Sequence, residues 1–212
     1  MTTLAPAFLE PSPYRRIDNF LGEELVKRLL TYAEARQSDF SQSGVGSSKE
    51  TSIINKEIRQ SLMLWDFGDL QSVLQERFEA LLPWAVSELH LSPITLGRLE
   101  LQLVAHGDGS FFREHLDTHM SQPDAKTDRV LTAVYYFFRR PRRFTGGELR
   151  LFAFAPDTDG TRRFIDIAPD HDMLLLFPSW APHEVRPVSC PSGEFMDSRF
   201  AVNCWFRQPR KG

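Results

Sequence analysis

The sequence predicts a mainly β fold, a sandwich or barrel, with amino-terminal helices packed on one outer face of a sheet. Three observations predict it. From about residue 97 the chain breaks into eight short apolar or alternating segments, clearest in LELQLV and RRFIDIA. Turn clusters separate them: HGDGS, FTGGE, APDTDG and APDHD. Helical periodicity is confined to the part before them, so the strand–helix alternation of a parallel α/β fold is missing.

The first helix is expected over Gly22–Arg36, where Leu25, Leu29, Leu30 and Ala33 form one stripe and Asp18 or Asn19 leads in as a cap. A second helical stretch runs from about Asp69 to His90, with Val73, Leu74, Phe78, Leu81 and Leu82 on one side and a kink or break at Pro83. Between them SDFSQSGVGSSKETS, residues 38–52, reads as a mobile loop extending to about residue 57. Strands are expected at Leu99–His106, Phe111–Asp117, Arg129–Phe138, Glu148–Ala155, Arg162–Ala168, Asp172–Phe177, Pro182–Val188 and Arg199–Phe206. Residues 1–98 are thus a helical lead-in and 99–212 a β core, together one compact domain.

Composition narrows the function classes. A chain of 212 residues, 42% hydrophobic and 25% charged, can bury a core without disulfides or structural metals. The longest apolar stretches, Val130–Phe138 and Met173–Phe177, are strand-sized, so no membrane span is expected. MTTLAPAFLEPSPYRR is not a secretory leader, and Cys190 and Cys204 form no CxxC pair; a cytoplasmic location follows as the expectation. The net charge of −3 argues against a general nucleic-acid binder. The cluster Arg139, Arg140, Arg142 and Arg143 stands apart as a solvated turn or a patch for an acidic partner.

His115 and Asp117 form an HxD pair. On a strand, residues i and i+2 share a face, so an imidazole and a carboxylate reach one point. His183, in FPSWAPHEV, is the natural third ligand. Two His and one carboxylate on one face of a metal suit non-haem Fe(II) oxygen chemistry. By itself an HxD is more often a salt bridge or a cap. His119 is a rival ligand, from HLDTH. His90, His106 and His171 read as surface or turn residues. GDGSFF lacks the third glycine and the context of a dinucleotide loop.

The order of blocks adds to this. LVAHGDGSFFREHLDTH, VLTAVYYFF, FTGGELRLF, LLLFPSWAPHEVRPV and RFAVNCWF follow one another from residue 99 to 206, after RRIDNFLGEELVKRLL and IRQSLMLWD. In these the chain resembles the Fe(II)- and 2-oxoglutarate-dependent dioxygenases, in particular their prolyl 4-hydroxylase-like branch. The resemblance implies a double-stranded β-helix, a jelly roll of the cupin-like kind. It implies iron ligands His115, Asp117 and His183, and a far carboxylate of 2-oxoglutarate bound by Arg199 and Tyr136, with Asn203 and Leu149 lining the same pocket. A guanidinium suits that task because it meets a carboxylate in two charge-assisted hydrogen bonds; Arg186 and Arg207 are its rivals. Phe112, Trp180, Trp205 and Arg143 are candidates for substrate or outer contacts. Ala105 stands where many relatives carry a tyrosine, and the 16 residues from His183 to Arg199 exceed the usual spacing.

The activity implied is hydroxylation of a C–H bond with O2, coupled to decarboxylation of 2-oxoglutarate to succinate and CO2. Ascorbate is a candidate reductant. The expected substrate is a residue of a protein or peptide; the alternatives are a free amino acid or small metabolite, and a cupin-like protein that binds metal and carboxylate without turnover. Residues 38–57 and 120–129 are candidate lids. A monomer or homodimer is expected.

Overall fold

In a computed structural model, the structure describes residues 8–44, 53–118 and 126–210. A strand β1 (Arg15–Asp18) precedes helix α1 (Glu23–Ala35), and the short strands β2 (Ser41–Gln42), β3 (Arg59–Gln60) and β4 (Leu62–Leu64) follow. Helices α2 (Leu70–Glu79) and α3 (Leu82–Glu88) complete the lead-in. The β core comprises β5 (Arg98–His106), β6 (Phe111–His115), β7 (Thr127–Phe137), β8 (Thr145–Gly146), β9 (Leu149–Phe152), β10 (Phe164–Ile167), β11 (Met173–Pro178), β12 (His183–Val185), β13 (Val188–Ser189) and β14 (Arg199–Pro209).

Seven strands form the larger antiparallel sheet, in the order β1-β11-β7-β14-β5-β4-β2. Five form the smaller one, β10-β9-β12-β6-β3, and β13 pairs with β8. The larger sheet is covered on both faces. On its outer face Tyr135, Phe137, Leu174, Leu176, Phe200 and Phe206 join one core cluster with Leu25, Leu29, Leu74 and Phe78 of the helices. On its inner face Val134, Tyr136, Leu175, Phe177 and Ala201 meet Leu149, Leu151 and Ile167 of the smaller sheet. Burial on two sides explains why β7 and β11 are nearly continuous apolar runs and not alternating ones. The jelly-roll architecture with helices on one face is therefore as the sequence predicts.

The break expected at Pro83 is present, since the stretch from Asp69 to His90 is two helices and Pro83 fits the first turn of α3, where its missing N–H costs nothing. Several other expectations need correction. Neither Asp18 nor Asn19 caps α1; the backbone N–H groups of Leu21 and Gly22 donate to the Asp172 carboxylate, which also accepts from the Tyr135 hydroxyl. β1 was not expected, and it pairs along its length with β11. The loop does not start at residue 38. Ser43 N–H donates to Ser61 O at 2.8 Å and the two hydroxyls bond at 2.8 Å, which ties this segment to the sheet edge. Residues 45–52 of that loop, and 119–125 of the second candidate lid, lie outside the described residues; Thr127–Arg129 already belong to β7.

Candidate active site

The site lies between the sheets. β6 and β12 are antiparallel neighbours, and His115 stands directly opposite His183. β6 ends at His115, so Asp117 is not brought in by strand pleating. Beyond the strand the chain turns, and the N–H groups of Asp117 and Thr118 both donate to Ser179 O at 3.0 Å. That turn swings the carboxylate between the imidazoles. His115 Nε2 is 3.8 Å from Asp117 Oδ1 and His183 Nε2 is 3.6 Å from Oδ2. One donor atom from each of the three residues lies within 4.8 Å of the others.

The two imidazoles are fixed so that each offers a donor atom to the same point. His115 Nδ1 is 2.8 Å from Arg113 O, and His183 Nδ1 is 2.9 Å from Ala181 O. A carbonyl oxygen only accepts, so Nδ1 carries the proton and each Nε2 presents a lone pair to the centre. Burial, reinforced by the neighbouring His183, holds His115 down to about 3, so it is neutral at physiological pH. Burial would raise the Asp117 carboxyl, but His183, His115 and Arg129 hold it at about 2. Its Oδ2 accepts from Thr132 Oγ1 at 2.8 Å, and that hydroxyl lies 2.9 Å from Ser179 Oγ. On the other side Arg129 Nη1 approaches Oδ1 at 4.0 Å, with its guanidinium 3.7 Å from the Trp205 ring and paired to Glu100.

Alternation along β14 sends Arg199, Ala201, Asn203 and Trp205 to the inner face. Arg199 is 1% exposed, yet among the described residues no carboxylate pairs with it. Its Nη1 donates to His106 Nδ1 at 3.0 Å, while Nε and Nη2 have no hydrogen-bond partner. The Tyr136 ring lies 4.6 Å from the guanidinium, and its buried hydroxyl is likewise unpartnered. Orphaned buried donors are rare in folded proteins and mark a place for a missing acceptor. Leu149, Asn203, Trp205 and Phe112 line the same cavity as the three candidate ligands and Arg199. Phe112 stacks on the His115 ring at 3.5 Å. The donor set and the orphaned guanidinium fit a divalent iron and a dicarboxylate.

Two sequence candidates are not brought to this cavity. Trp180 is 41% exposed and packs edge-on against Phe154, outside the lining. Arg143 points to solvent, because the loop around it closes on itself: Arg142 donates to Phe144 O and Gly146 O, and Arg139 pairs with Asp197. The rivals for Arg199 are occupied, Arg207 by Glu100 and Arg186 by Glu184. His119 lies outside the described residues. Conversely, His106, Thr132 and Arg59 line the cavity without having been singled out as site residues. Ala105 faces the helices in the outer core cluster, so the inward position at the end of β5 belongs to His106. Its place two and four residues beyond Val104 and Gln102, on the same face, was the available signal.

Comparison with known proteins agrees with the geometry. Residues 101–207 match the model of the 2OG-Fe(II) oxygenase superfamily. An uncharacterized PKHD-type hydroxylase of Synechocystis sp. is 35% identical over 203 residues, 93% of this chain and 64% of that one. The chain therefore spans less than two thirds of that relative's length. Among solved structures, a Pseudomonas putida prolyl-4-hydroxylase aligns with a TM-score of 0.65 at 23% identity, over 95% of this chain and 94% of that one. A Trichoplax adhaerens prolyl hydroxylase, in complex with a hypoxia inducible factor peptide fragment, aligns with a TM-score of 0.66 at 23% identity, over 92% and 83%. The epimerase SnoN of nogalamycin biosynthesis also shares the fold, at a TM-score of 0.58 and 12% identity over 94% and 79%, so the fold alone does not select the reaction. By the family match, with its His–Asp–His centre and jelly-roll core, this chain belongs to the 2OG-Fe(II) oxygenase superfamily.

Proposed function

We propose that the protein is a prolyl-hydroxylase-like enzyme that hydroxylates a C–H bond of a protein or peptide residue. In this reading His115, Asp117 and His183 hold Fe(II) through two Nε2 atoms and one carboxylate. Arg199 and Tyr136 take the far carboxylate of 2-oxoglutarate, and Leu149 and Asn203 form walls of its slot. When bound, iron and 2-oxoglutarate supply the oxidation with O2, releasing succinate and CO2. The chain's own contribution is orientation and exclusion of water. The Arg113 and Ala181 carbonyls fix the imidazoles, Thr132 fixes the carboxylate, and Val134, Leu149 and Val185 keep the pocket apolar. Phe112 and Trp205 border the position that a substrate would take.

The observation that carries this reading is the buried Arg199 with two idle nitrogens in the cavity of a preformed His–Asp–His set. The test is an anaerobic titration of the protein with Fe(II) and then 2-oxoglutarate, followed in the visible. A charge-transfer band saturating at about one equivalent, and missing in His183→Ala, is expected for chelation at one open iron site. Metal binding without a band would favour a carboxylate-binding protein without turnover. A second reading, a small carboxylate as substrate, is favoured by Arg59, whose surroundings are described next.

A further inference from the structure

The cavity holds a second buried cation. Arg59 is 8% exposed and comes from β3, at the edge of the smaller sheet. It pairs across the strands with Phe112, its guanidinium lies 4.8 Å from the Phe112 ring, and that ring stacks on His115. Arg59 is therefore one aromatic ring from the metal ligands. Its three hydrogen bonds all go to neutral acceptors: Ser61 Oγ at 3.2 Å, Gly44 O at 3.3 Å and Gln102 Oε1 at 3.1 Å. A guanidinium has five N–H donors, so two remain. Among the described residues no carboxylate pairs with it. Burial pulls it down to about 10 against the opposing attraction of Asp117, the sign of a charge held at a cost.

Charge in the cavity does not close without a further anion. Its ionised lining groups are Arg59, Arg199 and Asp117. A divalent iron and a doubly charged 2-oxoglutarate cancel each other. Asp117 offsets one guanidinium, and Arg199 is the one with two idle nitrogens for the cosubstrate. Arg59 feels Asp117 only at a distance and forms no ion pair among the described residues; it lies one aromatic ring from the proposed metal ligands, with donors to spare. Desolvated charges of this kind are kept where a ligand supplies the partner.

We propose that Arg59 receives the carboxylate of the substrate, so that the enzyme acts on a free proline-like amino acid or on the carboxyl-terminal residue of a peptide, and not on an internal residue. This rests on the iron and 2-oxoglutarate site of the reading given above and changes its substrate from any protein or peptide residue to one with a free carboxylate. A residue within a chain has only neutral amides to offer at that point; a terminal carboxylate fills the two remaining donors.

The test uses the anaerobic Fe(II)–2-oxoglutarate form of the whole protein, with three probes: L-proline, N-acetyl-alanyl-proline, and the carboxamide of that dipeptide. Binding is read as a perturbation of the charge-transfer band. One or both acids are expected to perturb the band, and the carboxamide to do so only at about thirtyfold higher concentration or not at all, as for a buried charge pair losing one partner. L-proline alone identifies a free amino acid; the dipeptide acid alone identifies a chain terminus. Arg59→Gln should shift the acid's half-saturation by a similar factor while leaving the 2-oxoglutarate band and its own half-saturation intact, which also shows that the variant is folded. Arg59→Lys should recover part of the affinity. Equal binding of acid and carboxamide, or no effect of either acid, overturns the proposal. A variant that loses the 2-oxoglutarate band instead assigns Arg59 to the cosubstrate and also overturns it. If the unmodified protein gives no band at all, the hydroxylase reading itself has failed.

Discussion

Arg199 and Thr132 illustrate two ways in which single side chains serve the same centre. Arg199 is fully buried with idle donors, so its charge is worth most when an acceptor arrives. Arg199→Ala is expected to raise the 2-oxoglutarate concentration at half-saturation by about thirtyfold or more while iron binding stays normal; a separate titration of each component checks both halves, and an unchanged requirement would move the anchor elsewhere. Thr132 touches no ligand position of its own. It donates to Asp117 Oδ2 and so fixes the orientation of the carboxylate proposed to hold the metal. Thr132→Val keeps the shape and removes that bond, and should weaken Fe(II) or Mn(II) binding about tenfold, measured anaerobically, with the fold intact. That His115, Asp117 and His183 would come together was readable from sequence, because their types and order are distinctive. Arg59 and His106 were not, because what makes them special is a lack of anionic partners and a long-range contact, and neither leaves a local pattern in the chain.

At the scale of elements, alternation made β14 legible: once Arg199 is placed, Asn203 and Trp205 must share its face. The helices were legible from their stripes, but the anchor of the turn leading into α1 was not, since Asp172 lies 150 residues beyond Gly22 and no local signal links them. The four-residue β1 is too short and too charged to announce itself, and it exists because β11 offers it an edge. The HxD pair shows a right outcome reached by a different cause, since Ser179 O, not the pleat, gathers Asp117. The TGGE turn carries a testable consequence. Gly147 has φ +72°, and a Cβ there would lie 2.7 Å from Arg199 Cδ and 2.9 Å from Val188 Cγ2. The backbone passes behind Arg199, the proposed cosubstrate anchor, at a distance only glycine allows. Gly147→Ala should therefore cost about 1–3 kcal/mol in stability and also raise the 2-oxoglutarate requirement by displacing Arg199. Denaturant melts and cosubstrate titration together check it; lost stability with an unchanged requirement would mean that the anchor does not depend on this turn.

For the whole molecule, the same burial that prepares the site makes folding sensitive to acid. His106 is 4% exposed and lies against Arg199, and burial with that charge holds it well below its ordinary value of 6.5. His115 is held at about 3 by burial and its neighbours. Both are neutral when folded but titrate near 6.5 in the unfolded chain. As pH falls through that value the unfolded state takes up protons that the folded state refuses, so stability drops with decreasing pH, by up to about 1.4 kcal/mol per pH unit for each such histidine. For His115 the loss continues until pH nears its folded value of about 3. Asp117 acts in the same direction at lower pH: its carboxyl, held at about 2, is ionised when folded while the unfolded carboxyl protonates near 3.8. Nothing in this set opposes the trend. The metal-free protein should accordingly melt at steadily lower temperature as pH is taken from 7.5 to 5, and the decline should begin close to 6.5. His106→Gln removes one of these titrations, to which the lowered His171 adds in the same direction, and should flatten the slope by about one proton, read from denaturant midpoints at several pH values. A flat profile between pH 7 and 5 in the unmodified protein would show that these imidazoles are not kept neutral by the fold, and with it that the ligand set is not prepared before the metal binds.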